Sequence, residues 1–223
     1  KNPDLIGSLH HFPSLPSLFI KPRNVEIWLP PDYDEGNANG YAVLYMHDGQ
    51  NLFESQKSFT GVDWGMDETM AALSGENEFR PTIVVAIWNT PQRLREYLPQ
   101  QPFCDHQSQR SMRRVMKRYG GAPISDNYLR FLVYELKPFI DSSYRTRPEL
   151  EMTFLMGSSM GGLISLYAIC EYPQVFGGAG CLSTHWPIEQ QLFGAYLKAK
   201  LPKAGEHKIY LDYGNEVNNA RYN

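Results

Sequence analysis

A serine between two glycines is the residue best suited to chemistry in this sequence. The segment Gly157-Ser158-Ser159-Met160-Gly161 fits the pattern Gly-x-Ser-x-Gly, with Ser159 at its centre. An apolar stretch precedes it and an apolar stretch with small residues follows it, which predicts a strand, a sharp turn and a helix. Such a turn holds a serine hydroxyl where it can attack an acyl carbon. The glycines are needed because side chains there would collide with the neighbouring strand or helix.

The oxyanion that such an attack creates needs hydrogen-bond donors close to Ser159. A helix that begins behind Ser159 directs its dipole and its free amides at the site, so the N–H of Met160 is one predicted donor. A polar turn, residues 47–51, follows another apolar strand. We expect the second donor in that turn, and we predict the N–H of Gln50, with Gly49 as the alternative.

The same turn contains three further polar residues. His47 precedes the serine on a neighbouring strand end, so we predict that it organises the loop and does not act as a general base. Asp48 and Asn51 are typical turn formers, because their side chains hydrogen-bond to nearby backbone. The alternative for the region is a structural Gly-Ser turn without catalysis, which would make the match of both motifs a coincidence.

Strands and helices alternate around these motifs. Residues 25–29 alternate and then meet Pro30-Pro31, which predicts an antiparallel edge strand. Nearly continuous apolar runs predict central parallel strands at 41–46, 82–87, 152–156, 180–182 and 208–211. Helical patterns cover 64–73, 125–140, 161–171 and 189–200, with Ser125 and Asp126 as caps of the second helix.

This alternation predicts a single α/β domain over residues 1–223. Its sheet should be mostly parallel and doubly wound, with helices on both faces and the site at the carboxyl ends of the strands. The long polar segment 89–122 has a weak pattern. It is either an insertion over the active face or a short helix with flanking loops.

The charge balance favours a small-molecule partner. A net charge of −3 and a pI near 6.1 give no electrostatic reason to expect nucleic acid. One basic run has a spacing that fits one helix face, and it predicts a solvated surface helix: Arg110, Arg113, Arg114, Lys117 and Arg118. No apolar run approaches the length of a bilayer span, so we expect a soluble protein, either cytoplasmic or secreted after removal of a signal.

The three cysteines indicate neither a disulfide framework nor a metal site. Cys104, Cys170 and Cys181 are odd in number and widely spaced, without a CxxC pair or a histidine at metal-ligand spacing. Cys170 and Cys181 lie in apolar stretches, which predicts small buried side chains and not reactive thiols.

Seven segments together carry a family resemblance. They are 46–53 (MHDGQNLF), Trp64 with Asp67, 125–128 (SDNY), 136–140 (LKPFI), 154–162 (FLMGSSMGG), 172–176 with Tyr-Pro and Val-Phe, and 182–186 (LSTHW). They resemble the esterase D family of α/β-hydrolases, which includes feruloyl and acetylxylan esterases, S-formylglutathione hydrolases, siderophore esterases and mycolyltransferases. The similarity covers most of the chain, and the elbow and the His-Asp-Gly-Gln-Asn loop are its most specific parts.

The resemblance implies an α/β-hydrolase fold, a Ser-His-Asp/Glu triad, acyl-enzyme chemistry and no cofactor. It also implies a substrate pocket wall at His185 and Trp186, to which Trp64, Trp88 and the segment 89–122 are further candidates. We therefore predict a serine carboxylic-ester hydrolase that acts on a small-molecule ester. An acyltransferase of the same family and a non-catalytic binding module on this fold are the alternatives.

The position of the triad acid is altered in this sequence. In the resembling family the acid follows the serine and precedes the histidine, a few residues past a glycine. The position that matches best here is Asn219, whose amide cannot stabilise an imidazolium ion by charge. We predict Glu216, the nearest carboxylate, as the acid, and Asp212 is the second candidate.

The triad histidine is not evident in the sequence. No histidine follows His207, and His207 begins a strand, so we expect it at the amino end of the sheet, away from the site. His185 follows a strand at the carboxyl face and is a candidate surrogate base. Three explanations compete: a C-terminal part missing from this chain, a partner chain that supplies the base, or an inactive relative. We expect the first.

Overall fold

A seven-stranded sheet organises the computed structural model, which describes residues 5–74, 76, 79–104, 109–187 and 189–213. The strands are β1 (Ser8–Leu15), β2 (Arg23–Leu29), β3 (Ala42–His47), β4 (Thr82–Ile87), β5 (Thr153–Ser158), β6 (Gly178–Leu182) and β7 (Lys208–Leu211). Their order in the sheet is β1-β2-β4-β3-β5-β6-β7. The first three in this order pair antiparallel, and all other pairs are parallel. The predicted mostly parallel α/β sheet is therefore confirmed.

The first strand was not predicted and corrects one expectation. Residues 25–29 do form a strand, β2, but β1 pairs with its outer side, with Leu9 opposite Trp28. The prediction of an edge strand is therefore wrong. Two histidines and Pro13 interrupt the sequence of β1, and its register with β2 becomes irregular between Phe12 and Leu15. A proline in an outermost strand is tolerated because its missing N–H is not needed there.

Eight helices lie in the described part of the chain. They are α1 (Met66–Leu73), α2 (Arg93–Tyr97), α3 (Gln101–Cys104), α4 (Gln109–Tyr119), α5 (Ser125–Arg130), α6 (Lys137–Ser143), α7 (Met160–Glu171) and α8 (Gln190–Lys200). A π-helical segment, Phe131–Leu136, joins α5 to α6, so the predicted helix at 125–140 is continuous. Pro138 follows this segment, and its ring and missing N–H disfavour a regular α-helical turn there. No helix among the described residues has the length and apolarity needed to span a membrane.

The predicted caps of α5 are not formed. Ile124 occupies the cap position, and no side chain caps the helix. The hydroxyl of Ser125 is buried without a hydrogen-bond partner among the described residues. The carboxylate of Asp126 instead accepts hydrogen bonds from Tyr167 Oη and Gln101 Nε2, both at 2.6 Å. Asp126 therefore connects α5 to α7 and α3.

The sheet separates two apolar layers of unequal size. On one face α1 covers a small cluster that includes Met70, Leu44 and Met46. On the other face α2 to α8 and the π-helical segment cover a much larger core. Helices thus lie on both faces, as predicted. Cys170 and Cys181 lie in the larger core, and burial raises the pKa of each thiol to about 12, which confirms that they are inert, buried side chains.

Candidate active site

Ser159 occupies a sharp turn between β5 and α7. Its backbone angles, φ 57° and ψ −115°, lie in a region that residues with a side chain rarely adopt. Two backbone hydrogen bonds to the end of β6 and the loop after it hold Ser159 in this conformation. The N–H of Ser159 donates to Leu182 O at 2.8 Å, and the carbonyl of Ser159 accepts from the N–H of His185 at 3.1 Å. The predicted strand, strained turn and helix are therefore all present.

The glycines of the motif differ in how strictly they are required. A Cβ at Gly157 would lie 2.7 Å from the backbone carbon of Gly161, which is a steric clash. A Cβ at Gly161 would lie 3.3 Å from the Cβ of His47, which is a tight but tolerable contact. The predicted collision is thus confirmed at Gly157, while Gly161 is mainly the surface against which Gly157 packs.

The predicted oxyanion donors Met160 and Gln50 both belong to the region around Ser159. Met160 is the first residue of α7, so its N–H has no acceptor four residues earlier within the helix. Gln50 lies in a 3₁₀ turn, Gly49–Asn51, at the carboxyl end of β3. Gln50 and Ser159 both line one cleft of about 490 Å³. Gly49 allows this turn to approach β4, because a Cβ there would lie 2.5 Å from the backbone of Ala86.

An ion pair fixes the loop that carries Gln50. Asp48 adopts a left-handed backbone conformation, with φ 59°. Its carboxylate accepts from Arg93 Nε at 2.6 Å and from Arg93 Nη2 at 2.8 Å, and Asn89 Nδ2 donates to it at 2.6 Å. Burial disfavours the charge of Arg93, but the hydrogen bond to Asp48 and the negative charge of Asp48, with smaller contributions from Tyr97 and Tyr128, together outweigh that effect and raise the pKa of Arg93. Arg93 is not predicted from the sequence, because no local pattern marks a contact between residues 45 positions apart.

His47, the last residue of β3, supports this loop from the interior of the protein. Its ring is fully buried, and Nδ1 lies 2.8 Å from the hydroxyl of Tyr128. Burial lowers the pKa of His47 to about 4, so the ring is neutral at pH 7. Nε2 has no hydrogen-bond partner within the described parts of the chain. A buried ring of this kind is not accessible to a substrate, in line with the prediction that His47 organises the loop.

The cleft is lined by both polar and aromatic side chains. Asp48, Gln50 and Arg93 are polar, and Phe59 and Trp64, in the loop after β3, are aromatic. Phe59 is 93% exposed and Trp64 is 37% exposed, so both rings are available to a ligand.

The aromatic loop is held by Asn51. Its side-chain oxygen accepts from the N–H of Phe59 at 2.9 Å and from the hydroxyl of Ser58 at 3.3 Å, and its carbonyl accepts from the N–H of Trp64. Asn51 is thus a turn former, as predicted. Trp88 lies elsewhere, in a smaller cavity with His11 and Lys57.

His185 and Trp186 follow β6 on the other side of the elbow. His185 Nε2 lies 3.2 Å from the hydroxyl of Tyr119 in α4. Burial lowers the pKa of His185, and the positive charges of Arg118 and Arg93 lower it further. Trp186 is half-exposed and packs against Phe193 of α8. Their role as a substrate pocket wall stays a prediction.

The described residues of the segment 89–122 include three helices, α2, α3 and α4. Its first helix, α2, reaches the loop after β3 through Arg93, and its last helix, α4, reaches the loop after β6 through Tyr119. The prediction of a short helix in this segment is therefore confirmed, and the contacts of α2 and α4 with the loops after β3 and β6 place both helices beside the carboxyl ends of the strands.

The predicted triad acid, Glu216, lies outside the described residues, as does Asn219. Asp212 follows β7, and its carboxylate accepts hydrogen bonds from the N–H of Ser183 and the hydroxyl of Tyr210. Asp212 therefore stabilises the turn after β6, where Ser183 has a positive φ of 44°. His207 Nε2 lies 2.7 Å from the carbonyl of Pro173, which confirms that it is at the amino end of the sheet.

One group of side chains among the described residues has metal-ligand character. His11, Glu26 and Glu54 place one ligand atom each within 4.8 Å of one another. The ammonium of Lys57 donates to Glu26 at 3.1 Å and to Glu54 at 2.7 Å, so it already neutralises these carboxylates. This group is a surface ion-pair network beside β1 and β2, and it contributes nothing to the cleft at Ser159.

The sheet order, the elbow at Ser159 and the loop after β3 define the α/β-hydrolase fold. A family model described as "Putative esterase" matches residues 18–222. The chain belongs to this esterase family.

The chain is similar to a curated protein and, in its fold, to solved structures. The protein YbbA of Bacillus subtilis, which is uncharacterised, is 24% identical over 194 residues, which is 87% of this chain and 68% of YbbA. An IroE-like serine hydrolase from Shewanella oneidensis has a TM-score of 0.62 at 22% identity, over 86% of this chain and 55% of that protein. The siderophore hydrolase EstA from Aspergillus nidulans has a TM-score of 0.65 at 19% identity, over 93% of this chain and 68% of EstA. The chain thus spans little more than half of the Shewanella protein.

Proposed function

We propose that the chain carries the nucleophile of a serine hydrolase that cleaves carboxylic esters of small molecules. The observation that carries this proposal is the backbone of Ser159, which is held at φ 57° between β5 and α7 at the wall of a 490 Å³ cleft. Strain of this kind persists where it positions a reacting group. Membership in the esterase family supports the same reaction.

The reaction begins when Ser159 Oγ attacks the carbonyl carbon of the ester. The carbonyl oxygen becomes an oxyanion, and the N–H groups of Met160 and Gln50 stabilise it by hydrogen bonds. The dipole of α7 adds to this stabilisation. When the oxyanion collapses, the alcohol leaves with a proton and an acyl-enzyme ester forms on Ser159. Water then attacks the acyl carbon and releases the acid and the free serine, and no cofactor takes part.

Two further groups complete the proposed mechanism. A histidine must accept the proton of Ser159 and return it to the alcohol, and a carboxylate must stabilise the imidazolium ion. We propose Glu216 as this carboxylate. Of the described histidines, His185 is the one whose backbone contacts Ser159, and its lowered pKa keeps it neutral and able to accept a proton at pH 7. It therefore remains the candidate surrogate base.

The test is hydrolysis of 4-nitrophenyl acetate by the wild-type protein and by Ser159→Ala. We expect kcat to fall by about a thousandfold or more, since no other group can form the acyl-enzyme. Ser158→Ala is the matched control, because it removes the neighbouring hydroxyl, and it should keep activity within about tenfold. Equal turnover in wild type and Ser159→Ala would exclude the proposed nucleophile.

A non-catalytic binding module is the second candidate, and Asn219 at the position of the acid favours it. A fluorophosphonate probe separates the two functions, since it reacts covalently only with an activated serine. Labelling that Ser159→Ala abolishes supports the hydrolase, and absence of labelling in the wild-type protein supports the binding module. Product analysis with an added alcohol distinguishes hydrolysis from acyl transfer.

A further inference from the structure

The helix α4 carries an exposed basic face that the proposed function does not use. Its five cations lie at positions i, i+3, i+4, i+7 and i+8 and therefore share one face: Arg110, Arg113, Arg114, Lys117 and Arg118, here called the α4 stripe. The opposite face anchors the helix, because Val115 and Tyr119 are buried in the larger core. Within the described ranges, Arg114 is the member of the stripe that has an ion pair, with Glu189 at 3.3 Å. The whole chain has a net charge of −3, so this face is opposite in sign to the molecule.

The helix that carries the α4 stripe is connected to the nucleophile through two contacts. Tyr119, at the end of α4, contacts the ring of His185, and the N–H of His185 donates to the carbonyl of Ser159. The charges of Arg118 and Arg93 both lower the pKa of His185, so the two cations act on the same small region. A negatively charged ligand at Ser159 would feel the field of Arg118, whereas Asp48 largely compensates the charge of Arg93 and leaves Arg93 to act as a hydrogen-bond donor.

Arg93 offers hydrogen-bond donors inside the cleft itself. Its Nε and Nη2 are engaged by Asp48, and its guanidinium plane lies over the ring of Tyr97 at 5.1 Å. A guanidinium group has five N–H donors, and none of the hydrogen bonds of Arg93 within the described part of the chain uses Nη1, so this group can donate to a ligand. Arg93 lines the cleft together with Ser159, and 27% of its side chain is exposed.

We propose that the cleft at Ser159 selects esters that carry a carboxylate, which Arg93 binds in the cleft and which the α4 stripe attracts. This inference rests on the proposed hydrolase function and names the substrate class for it. A guanidinium–carboxylate contact is charge-assisted and stronger than a contact between neutral groups, and the field of the α4 stripe increases the rate of encounter. A neutral ester of the same size gains neither effect.

Two matched pairs of esters test the inference. Mono-(4-nitrophenyl) glutarate and 4-nitrophenyl pentanoate differ in a carboxylate on the acyl side. In the second pair, 4-acetoxybenzoate and its methyl ester, the carboxylate is on the alcohol side. We expect kcat/KM to be about tenfold higher for the anionic member of at least one pair at low ionic strength, and the ratio to fall towards one as salt increases. The pair that shows the preference identifies the side of the substrate that faces Arg93.

Variants of the α4 stripe link the preference to this helix. The double variant Arg113→Gln and Lys117→Gln, which leaves Arg118 beside His185 in place, should reduce kcat/KM for the preferred anionic ester by about threefold or more and leave the neutral ester unchanged. Lys203→Gln is the control, because it removes one exposed cation from the loop before β7, at the amino end of the sheet.

Binding to Ser159→Ala separates the two proposals. Isothermal titration with each ester pair needs no turnover, so it measures the selectivity even if the chain is not a hydrolase. Tighter binding of an anionic ester, weakened in the α4 variant, supports the inference. Equal affinity for charged and neutral esters, or a preference that the α4 variant and salt leave intact, overturns it. Hydrolysis of neutral esters that depends on Ser159 would still support the proposed function.

Discussion

Ser159 combines a reactive role with an unfavourable backbone conformation. For a residue with a Cβ, the backbone conformation at φ 57° and ψ −115° costs about 1–3 kcal/mol of folding free energy, and glycine avoids this cost. We expect Ser159→Gly to be more stable than Ser159→Ala by about 1 kcal/mol, because alanine keeps the strain while glycine releases it at some entropic cost. Both variants lack the hydroxyl and should be inactive. Urea unfolding of the pair measures the difference, and equal midpoints would show that the turn is not strained.

His47 makes the stability of the fold depend on pH. Its pKa is about 4 in the folded protein because the ring is buried, whereas an unfolded histidine titrates near 6.5. Between these values the unfolded chain binds more protons, so the free energy of unfolding decreases as the pH falls from 6.5 to 4. The contribution of His47 should fall by about 2 kcal/mol between pH 7 and pH 5.

The variant His47→Gln isolates this effect from other titrating groups. The amide of glutamine can keep a hydrogen bond to Tyr128 but does not titrate. Between pH 7 and pH 5, the free energy of unfolding should therefore decrease by about 2 kcal/mol less in the variant than in the wild type. Urea unfolding at pH 7 and pH 5 provides the four free energies. Equal decreases of the unfolding free energy in the wild type and in His47→Gln would mean that His47 does not cause the pH dependence of stability.

At the scale of the elements, a buried ion pair connects β2 to α2. Arg23 and Glu96 form two hydrogen bonds, at 2.7 and 3.2 Å, and their side chains are almost completely buried. The same helix carries Arg93, which fixes the loop of Gln50, so this pair positions the site indirectly. Glu96→Gln would leave the charge of Arg23 buried without its counter-charge, and we expect a loss of about 3 kcal/mol in unfolding free energy.

A surface pair in the same chain is the control for Glu96. Arg147 and Glu149 lie 3.5 Å apart, and both side chains are about half exposed. Solvent screens such pairs, so Glu149→Gln should change the unfolding free energy by less than about 0.5 kcal/mol. Thermal or urea unfolding of Glu96→Gln and Glu149→Gln compares the two ion pairs directly. Similar losses of unfolding free energy in both variants would contradict the expectation that the buried pair contributes more to stability.

The sequence predicted those elements whose pattern is local. The central strands β3, β4 and β5 are continuous apolar runs, and the helix after Ser159 is apolar throughout, so composition alone indicates them. The strand β1 has no apolar alternation and contains a proline, and its place is determined by its pairing with β2. Tertiary contact outweighs local preference there.

The same distinction applies to the site. Ser159 and the turn at Gln50 are visible because a turn of this kind needs glycines at fixed positions in the sequence. Arg93 and the support of His47 by Tyr128 are not visible, since these contacts join residues 45 and 81 positions apart. Pairing of distant polar side chains is a property of the assembled fold, and one sequence does not contain a local pattern for it.

For the whole molecule, the unequal layers on the two faces of the sheet predict unequal sensitivity to substitution. Leu155 and Met156 are neighbours in β5 and point to opposite faces. Leu155 is fully buried in the larger core, whereas Met156 is only partly buried and lines an apolar groove of about 480 Å³ on the face of α1.

Leu155→Ala should therefore cost about 3–5 kcal/mol, because the larger core leaves a cavity that cannot collapse fully. Met156→Ala should cost about 1 kcal/mol, because the groove beside it is already open and less contact is lost. The two variants replace adjacent residues of the same strand with alanine and remove side chains of similar size. The β-propensity of alanine therefore contributes equally to both losses of stability. Urea unfolding with unchanged m-values measures both free energies. Equal losses would show that the face of α1 is packed as tightly as the opposite face, which would contradict the asymmetry of the two layers.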